Sequence, residues 1–164
     1  MAELSRSSVR AQLGADDPAA SAAGLTVRLL DPAAQFYVTG ADVLPNTVQG
    51  GEPYLLWLAP DRCLLVAETA TPDTAQYGFV SDMTDGLALF EVVGPRAGEI
   101  VAMGCTLAPG GPHLALGHCA QTLFGGVRVV IYRHGTAERF QVHVERQLAA
   151  YLLEWFKQAA SALV

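Results

Sequence analysis

A long stretch without a formal charge lies in the second half of the chain. No Asp, Glu, Lys or Arg occurs in residues 100–127, although charged residues make up 16 % of the sequence. The stretch is not a membrane span, because Pro109, Pro112 and several glycines interrupt the roughly 20 consecutive apolar residues that a span requires. Two interpretations remain: a buried loop system, or a surface that another chain covers.

The length of 164 residues is typical of one domain. Hydrophobic residues make up 51 % of the chain, and alanine accounts for much of that excess. A domain of this size buries about two-thirds of the surface that its unfolded chain exposes. We therefore expect a hydrophobic core that needs neither a metal nor a disulfide.

The charge balance and the cysteines exclude several classes of function. A net charge of −6 argues against nucleic acid as the main partner, and Lys157, the single lysine, is not part of a phosphate-binding loop. Cys63, Cys105 and Cys119 are odd in number and irregularly spaced, and no apolar signal segment follows the first residues. These features predict a cytoplasmic protein with reduced thiols.

The first half of the chain reads as a flexible arm followed by strands. Residues 1–24 are rich in Ala and Ser and show no sustained period, so we predict a flexible N-terminal arm and a single domain over 25–164. Residues 59–62 predict a four-residue hairpin loop, and Thr71-Pro72 predicts a short helix that ends at Gly78. The predicted strands are residues 25–30, 35–39, 54–58 and 63–67.

The second half alternates strands with helices. Residues 87–93 predict a strand buried on both faces, and Gly94-Pro95 begins an amphipathic helix that ends at Gly104. Further strands are predicted at residues 120–124, 127–133 and 140–144, and a helix from Glu145 to the C-terminus. This order predicts an α+β fold, a mainly antiparallel sheet with helices on one face.

A zinc site is the first chemical hypothesis, because Cys105, His113, His118 and Cys119 are suitable ligand types. The spacing of the two cysteines does not match a structural zinc motif, which favours two buried thiols and two loop histidines. A nucleophilic Cys119 is the second hypothesis, with His143 on the polar side of a later strand. Neighbouring residues on a strand point to opposite faces, so His118 is poorly placed to activate that thiol.

The remaining candidates have a simpler structural explanation. The carboxylates in turns are expected to cap backbone N–H groups, the arginine at a helix start lacks a glycine-rich phosphate loop, and the aromatic residues fit a core. These residues are Asp61, Asp82, Asp85, Arg96, Trp57, Trp155 and Phe156. We therefore assign no catalytic, cofactor-binding or metal-binding residue, and the sequence favours an interaction module.

Several segments, in order along the chain, carry a resemblance to a known family. They are residues 54–66 with Trp-Leu-Ala-Pro-Asp, residues 80–84, residues 90–97 with Gly-Pro-Arg-Ala, residues 104–107, residues 117–123 with Gly-His-Cys-Ala-Gln-Thr-Leu, and residues 140–156. Together they resemble the gamma subunit of heterotetrameric sarcosine oxidase. That family is similar to one domain of the folate-binding aminomethyltransferases, which implies an α+β fold with a ferredoxin-like element.

The resemblance implies a non-catalytic gamma subunit that supports assembly of a complex. Such a complex oxidatively demethylates sarcosine and transfers the one-carbon unit to tetrahydrofolate. FAD, FMN, NAD and tetrahydrofolate would lie on the larger alpha and beta subunits and zinc on a small delta subunit, with none bound by this chain alone. The resemblance therefore also implies that the partners are these three subunits.

Two departures from the family pattern leave alternatives open. Ala108 stands where related sequences lead us to expect an aspartate, and the chain is short for the family. There are three other hypotheses. The chain belongs to a complex that acts on another N-methyl amino acid, it is a standalone folate-binding protein for one-carbon transfer, or it is a homo-oligomer that covers its own apolar face.

Overall fold

The computed structural model describes residues 8–163. Its two antiparallel sheets have the strand orders β1-β2-β8-β11-β10-β9, called the six-stranded sheet, and β4-β5-β6-β3-β7, called the five-stranded sheet. The strands are β1 (Ala20–Ala22), β2 (Leu25–Leu30), β3 (Ala34–Val38), β4 (Val48–Gly50), β5 (Tyr54–Ala59), β6 (Arg62–Ala67), β7 (Val80–Asp82), β8 (Leu87–Val93), β9 (Cys119–Phe124), β10 (Val127–Arg133) and β11 (Arg139–Glu145). The α-helices are α1 (Val9–Leu13), α2 (Ala97–Gly104) and α3 (Ala149–Ser161), and short 3-10 turns lie at Pro112–Leu114 and Arg146–Leu148.

Alternation along the strands of the six-stranded sheet creates two buried layers. On β11, Phe140, Val142 and Val144 pack with α2 and α3 in the largest hydrophobic cluster. Gln141 and His143 point to the opposite face and are equally buried, because the five-stranded sheet covers that side. The predicted division of β11 into an apolar and a polar side is therefore confirmed, and the polar side lies inside the protein.

The α+β class and the antiparallel strands are confirmed, with α2 and α3 packed on one face of the six-stranded sheet. The predicted strands occur within one or two residues of their expected bounds, and the Gly125-Gly126 turn joins β9 to β10 with both glycines at positive φ. None of the helices in residues 8–163 is long and apolar enough to span a membrane.

The last helix begins at Ala149 instead of Glu145, because β11 runs through Glu145 and a 3-10 turn follows it. Two other local predictions were wrong. Residues 71–78 form turns instead of a helix: Asp73 accepts a hydrogen bond from the Ala75 N–H, and the Thr39 hydroxyl accepts one from the Phe79 N–H. The predicted hairpin loop of residues 59–62 is shorter, because β5 extends through Ala59 and Asp61 adopts a left-handed conformation in a tighter turn. Side-chain hydrogen bonds stabilise the turns of residues 71–78, and an irregularity in β5 between Trp57 and Ala59 accompanies the tighter hairpin turn.

The N-terminal region differs from the expected arm. Residues 1–7 lie outside the described residues, but α1 and β1 form within residues 8–24. β1 pairs with β2, and the side chains of Val9 and Ala19 are buried in the largest cluster. A five-residue helix and a three-residue strand are too short to produce a recognisable hydrophobic period, so the sequence pattern did not indicate them.

Candidate functional site

The four candidate zinc ligands are not assembled into one site. The thiol of Cys105 packs with the helices, whereas Cys119 lies between the sheets, with Sγ within 3.4 Å of the Thr47 and Trp57 carbonyl oxygens. His113 is exposed on the 3-10 turn, and a ring nitrogen of His118 faces the Leu116 carbonyl. Within residues 8–163, His, Cys, Asp and Glu side chains form no group of three that could hold a metal ion.

The nucleophile hypothesis is also unsupported by the geometry. Burial raises the pKa of the Cys119 thiol to about 11, so the thiol stays protonated at neutral pH. Neither histidine named with it is a hydrogen-bond partner of its sulfur: His118 contacts the Leu116 carbonyl, and His143 contacts Gln35 and Tyr132. Cys119 therefore behaves as a small buried side chain that fills the layer between the sheets.

The other candidates have local structural roles. Asp61 accepts a hydrogen bond from the Gly40 N–H at 2.7 Å, and Asp82 accepts one from the Thr84 N–H at 2.9 Å. Asp85 lies at the Arg146 side chain, and Arg96 binds the Glu99 carboxylate and the Leu163 carbonyl. The three aromatic residues join hydrophobic clusters: Trp57 against the five-stranded sheet, and Trp155 and Phe156 against Phe124.

A chain of hydrogen bonds that crosses the layer between the sheets was not predicted. Gln35 on β3 donates to the Leu87 carbonyl at 3.1 Å, and its Oε1 lies 2.7 Å from Nδ1 of His143. Because Oε1 only accepts, Nδ1 carries the proton, and Nε2 accepts from the Tyr132 hydroxyl at 3.0 Å. The Tyr132 hydroxyl lies 2.9 Å from the Tyr54 hydroxyl, which in turn lies 3.3 Å from Oε1 of Glu68. The four side chains from Gln35 to Tyr54, the inter-sheet chain, connect both sheets and fix the tautomer of the histidine.

A charged cluster continues from the Tyr54 end of this chain. Arg139 donates to Glu91 at 2.6 Å and to Glu68 at 3.1 Å, and Gln141 donates to Glu68 at 3.2 Å. Burial alone would raise the pKa of Glu68, but the hydrogen bond from Gln141 and the nearby guanidinium of Arg139 lower it overall. The carboxylates of Glu68 and Glu91 are thus paired with the guanidinium of Arg139 at one end of the inter-sheet layer.

The pKa of His143 predicts a pH-dependent stability. Burial lowers this pKa from 6.5 to about 3, so the unfolded chain binds a proton that the folded chain does not bind. The contribution of His143 to the free energy of unfolding is complete above pH 6.5. It is lost as the pH falls, because the unfolded chain then binds a proton that the folded chain does not bind. From pH 7 to pH 5 we expect the free energy of unfolding to decrease by about 2 kcal/mol through His143 alone.

Urea unfolding at several pH values measures this effect. The His143→Gln variant cannot take up the proton, so its curve should lose less stability across the same interval than the wild-type curve. Two parallel curves would contradict the assignment.

Part of the uncharged stretch reaches the surface. We predicted that residues 104–126 are sheltered by the core or by a partner, and Cys105, Leu114 and Phe124 are indeed buried. Leu116 and Leu123, by contrast, keep 51 % and 56 % of their surface exposed. The buried loop system therefore explains only part of the stretch, and Leu116 and Leu123 lie in the part that stays exposed.

β9, which contains much of this exposed part, is an edge strand of the six-stranded sheet. Isolated bridges hold both of its ends: Thr47 pairs with His118 just before the strand, and Cys105 pairs with Phe124 at its end. Between the bridges, Gln121 donates to the Leu58 carbonyl of the other sheet at 2.5 Å. The strand is thus fixed at both ends and tied across the inter-sheet layer.

Comparison with known proteins supports the fold on which these sites are built. Neither the protein-family models nor the curated proteins compared with the sequence gave a match. Among solved structures, a chain of heterotetrameric sarcosine oxidase from Corynebacterium sp. U-96, solved in complex with pyrrole 2-carboxylate, matches with a TM-score of 0.81 and 21 % sequence identity. The match covers 96 % of this chain and 95 % of that chain. This chain therefore has, over nearly its whole length, the fold of one chain of heterotetrameric sarcosine oxidase.

Proposed function

We propose that the chain is the gamma subunit of a sarcosine-oxidase-type complex, in which it supports assembly and carries no catalytic group. The observation that carries the proposal is the near-complete coverage of both chains in the structural match, which aligns this chain with one whole chain of a heterotetramer. The ordered sequence segments from Tyr54 to the last helix support the same assignment. The exposed apolar side chains of Leu116 and Leu123 are consistent with a surface for a larger partner.

The proposed complex would demethylate sarcosine oxidatively and pass the one-carbon unit to tetrahydrofolate. The alpha, beta and delta subunits would be its partners and would hold FAD, FMN, NAD, tetrahydrofolate and zinc. Support from this chain comes from the partners of its polar side chains, which lie within the chain itself: the inter-sheet chain is hydrogen-bonded from Gln35 to Tyr54, and the Tyr54 hydroxyl contacts Glu68 of the charged cluster. Such groups stabilise the contact between the sheets, and a cytoplasmic location is part of the proposal.

Co-expression with the candidate alpha, beta and delta subunits tests the proposal. We expect this chain to co-purify with them in equal amounts, and we expect the yield of assembled oxidase to fall when the chain is omitted. An oxidase that assembles equally well without it, with the chain remaining separate, would contradict the proposed role.

Two further measurements separate the alternatives. Calorimetric titration of the isolated chain with tetrahydrofolate should give no binding heat, whereas saturable binding would favour a standalone folate protein. Light scattering of the isolated chain reports its mass, and a stable oligomer that persists with the larger subunits present would favour self-association.

A further inference from the structure

The layer between the two sheets is open at one end. Two neighbouring cavities, of about 550 and 380 Å³, share Tyr37 and Gln121 as lining residues. We call the two cavities together the inter-sheet groove. Its other lining residues come from both sheets and include Leu58, Arg62, Phe79, Leu123, Arg128 and Val130.

Strand register explains why the groove opens where it does. Leu123 is paired with Arg128 next to the tight turn between β9 and β10, and Tyr132 is paired with Cys119 at the other end of the same ladder. These four positions share the face directed at the five-stranded sheet, because alternate residues of a strand point to one side. Cys119 and Tyr132 are buried by that sheet, whereas Leu123 is 56 % exposed. The six-stranded sheet therefore extends beyond its cover at the turn.

Large apolar side chains lie at both ends of the groove. Leu123 lies in the cavity near the β9–β10 turn, and Phe79, which is 63 % exposed, lies in the adjoining cavity. Gln121 lines both cavities and is hydrogen-bonded across the layer to the Leu58 carbonyl. Burial of a large apolar side chain against a partner stabilises the complex. Leu123 and Phe79 therefore favour an apolar contact.

The cations of the groove differ from the others in the described part of the chain. In residues 8–163 the remaining cationic side chains have ion pairs or carbonyl partners: Arg10, Arg28, Arg96, Arg133, Arg139, Arg146 and Lys157. Within the same described range, no carboxylate lies within ion-pair distance of Arg62 or Arg128, and both guanidinium groups line the groove. The carboxylate of Glu145, which also lines it, accepts a hydrogen bond from Gln147. Two guanidinium groups against the one carboxylate of Glu145 leave the lining with a net charge of +1 in a chain of net charge −6, which favours an acidic partner.

We infer that the inter-sheet groove docks an extended segment of a partner protein that carries apolar side chains together with acidic ones. The acidic groups pair with Arg62 and Arg128, and the apolar groups cover Leu123 and Phe79. The inference rests on the proposed function, which supplies the larger subunits of the complex as the partner. Two neighbouring cavities, each lined by one exposed apolar side chain, fit a length of chain better than a compact ligand.

A competition experiment with paired variants tests the inference. Wild-type chain and one variant are co-expressed with tagged larger subunits, and mass spectrometry measures the ratio retained on the tag. We expect Arg128→Glu and Leu123→Asp each to be retained about tenfold less than the wild type, the size expected for an important interface side chain. Two control variants make the same kinds of change outside the groove. Lys157→Glu, on α3, reverses a charge as Arg128→Glu does. Met103→Asp, on α2, places a carboxylate at an apolar side chain that is 50 % exposed, as Leu123→Asp does. Both controls should be retained equally with the wild type.

The outcomes separate this inference from the proposed function. If the wild-type chain is retained and the groove variants compete equally with it, the groove is not the docking site, while the proposed function stands. If the wild-type chain is not retained at all, the proposed function fails and this inference fails with it. Unchanged urea midpoints for the variants, relative to their controls, exclude unfolding as the cause of lost retention.

A cross-link identifies the occupant. The thiols of Cys63, Cys105 and Cys119 are buried, so a Leu123→Cys variant carries one accessible thiol among the described residues, to which a photoactivated cross-linker can be attached. We expect cross-linked peptides from an acidic segment of a larger subunit. Cross-links to a second copy of this chain, or to no protein in the assembled complex, would overturn the inference.

Discussion

Replacing Gly94 by alanine is expected to lower the free energy of unfolding by about 4 kcal/mol, the sum of backbone strain and a steric clash. Gly94 has a φ of +123°, which side-chain-bearing residues rarely adopt, and an added Cβ would lie 2.3 Å from the Gly24 carbonyl oxygen. That oxygen cannot move away freely, since it accepts a hydrogen bond from the Arg96 N–H at 3.1 Å. The clash is therefore between two backbones held together at the end of β8.

Urea denaturation of Gly94→Ala beside Gly110→Ala measures this effect. A Cβ on Gly110 would meet no atom within 4 Å, so its substitution should change stability by about 0.5 kcal/mol or less. For a domain of this size the Gly94 variant should melt roughly 10 °C lower than the wild type. Equal stability of the two variants would show that the strands can separate at Gly94 without cost.

Replacing Gln35 by methionine is expected to cost about 3 kcal/mol, because two buried polar groups lose their partner. The substitution nearly preserves side-chain volume, but it leaves the Leu87 carbonyl and the Nδ1–H of His143 without the hydrogen bonds that Gln35 provides. Water cannot easily replace them, since Gln35 and His143 are 1 % and 2 % exposed. The cost therefore measures how strongly the inter-sheet chain couples the two sheets.

A double-mutant cycle separates coupling from simple loss of packing. We expect Gln35→Met and His143→Leu together to cost at least about 1 kcal/mol less than the sum of the single variants, because the second change removes a donor that the first one orphaned. Gln49→Met, on the exposed β4, is the matched control and should have little effect. Additive costs for the pair would contradict a direct hydrogen bond between the two side chains.

The sequence predicted strands well where apolar residues alternate or run continuously. Residues 87–93 became a central strand buried on both faces, and the Gly125-Gly126 pair became a tight turn, because burial and positive φ leave few other conformations. Residues 71–78 failed, since a proline and a threonine can begin a helix, but the hydrogen bond at Asp73 stabilises a turn instead. Local signals thus determined the elements, while competing side-chain contacts decided the loops.

The second sheet and the inter-sheet chain required tertiary information. The sequence predicted His143 on the polar side of a strand, a side that would face water in an isolated sheet and that Gln141 shares. Only the packing of the five-stranded sheet on that side reveals why Gln35, far away in sequence, is also polar. A glutamine within an otherwise apolar strand was the available signal. The groove could not be foreseen, because the missing ion pairs of Arg62 and Arg128 are visible only after folding.

The bridges at the two ends of β9 also protect the chain against aggregation. Edge strands of natural proteins commonly carry charges that prevent pairing with another copy, but the uncharged stretch supplies none for β9. Thr47 and Cys105 occupy the backbone positions beside its two ends, so a foreign strand finds only a short open edge between them. The backbone of neighbouring loops limits the open edge of β9, so its side chains can remain apolar without inviting a second strand.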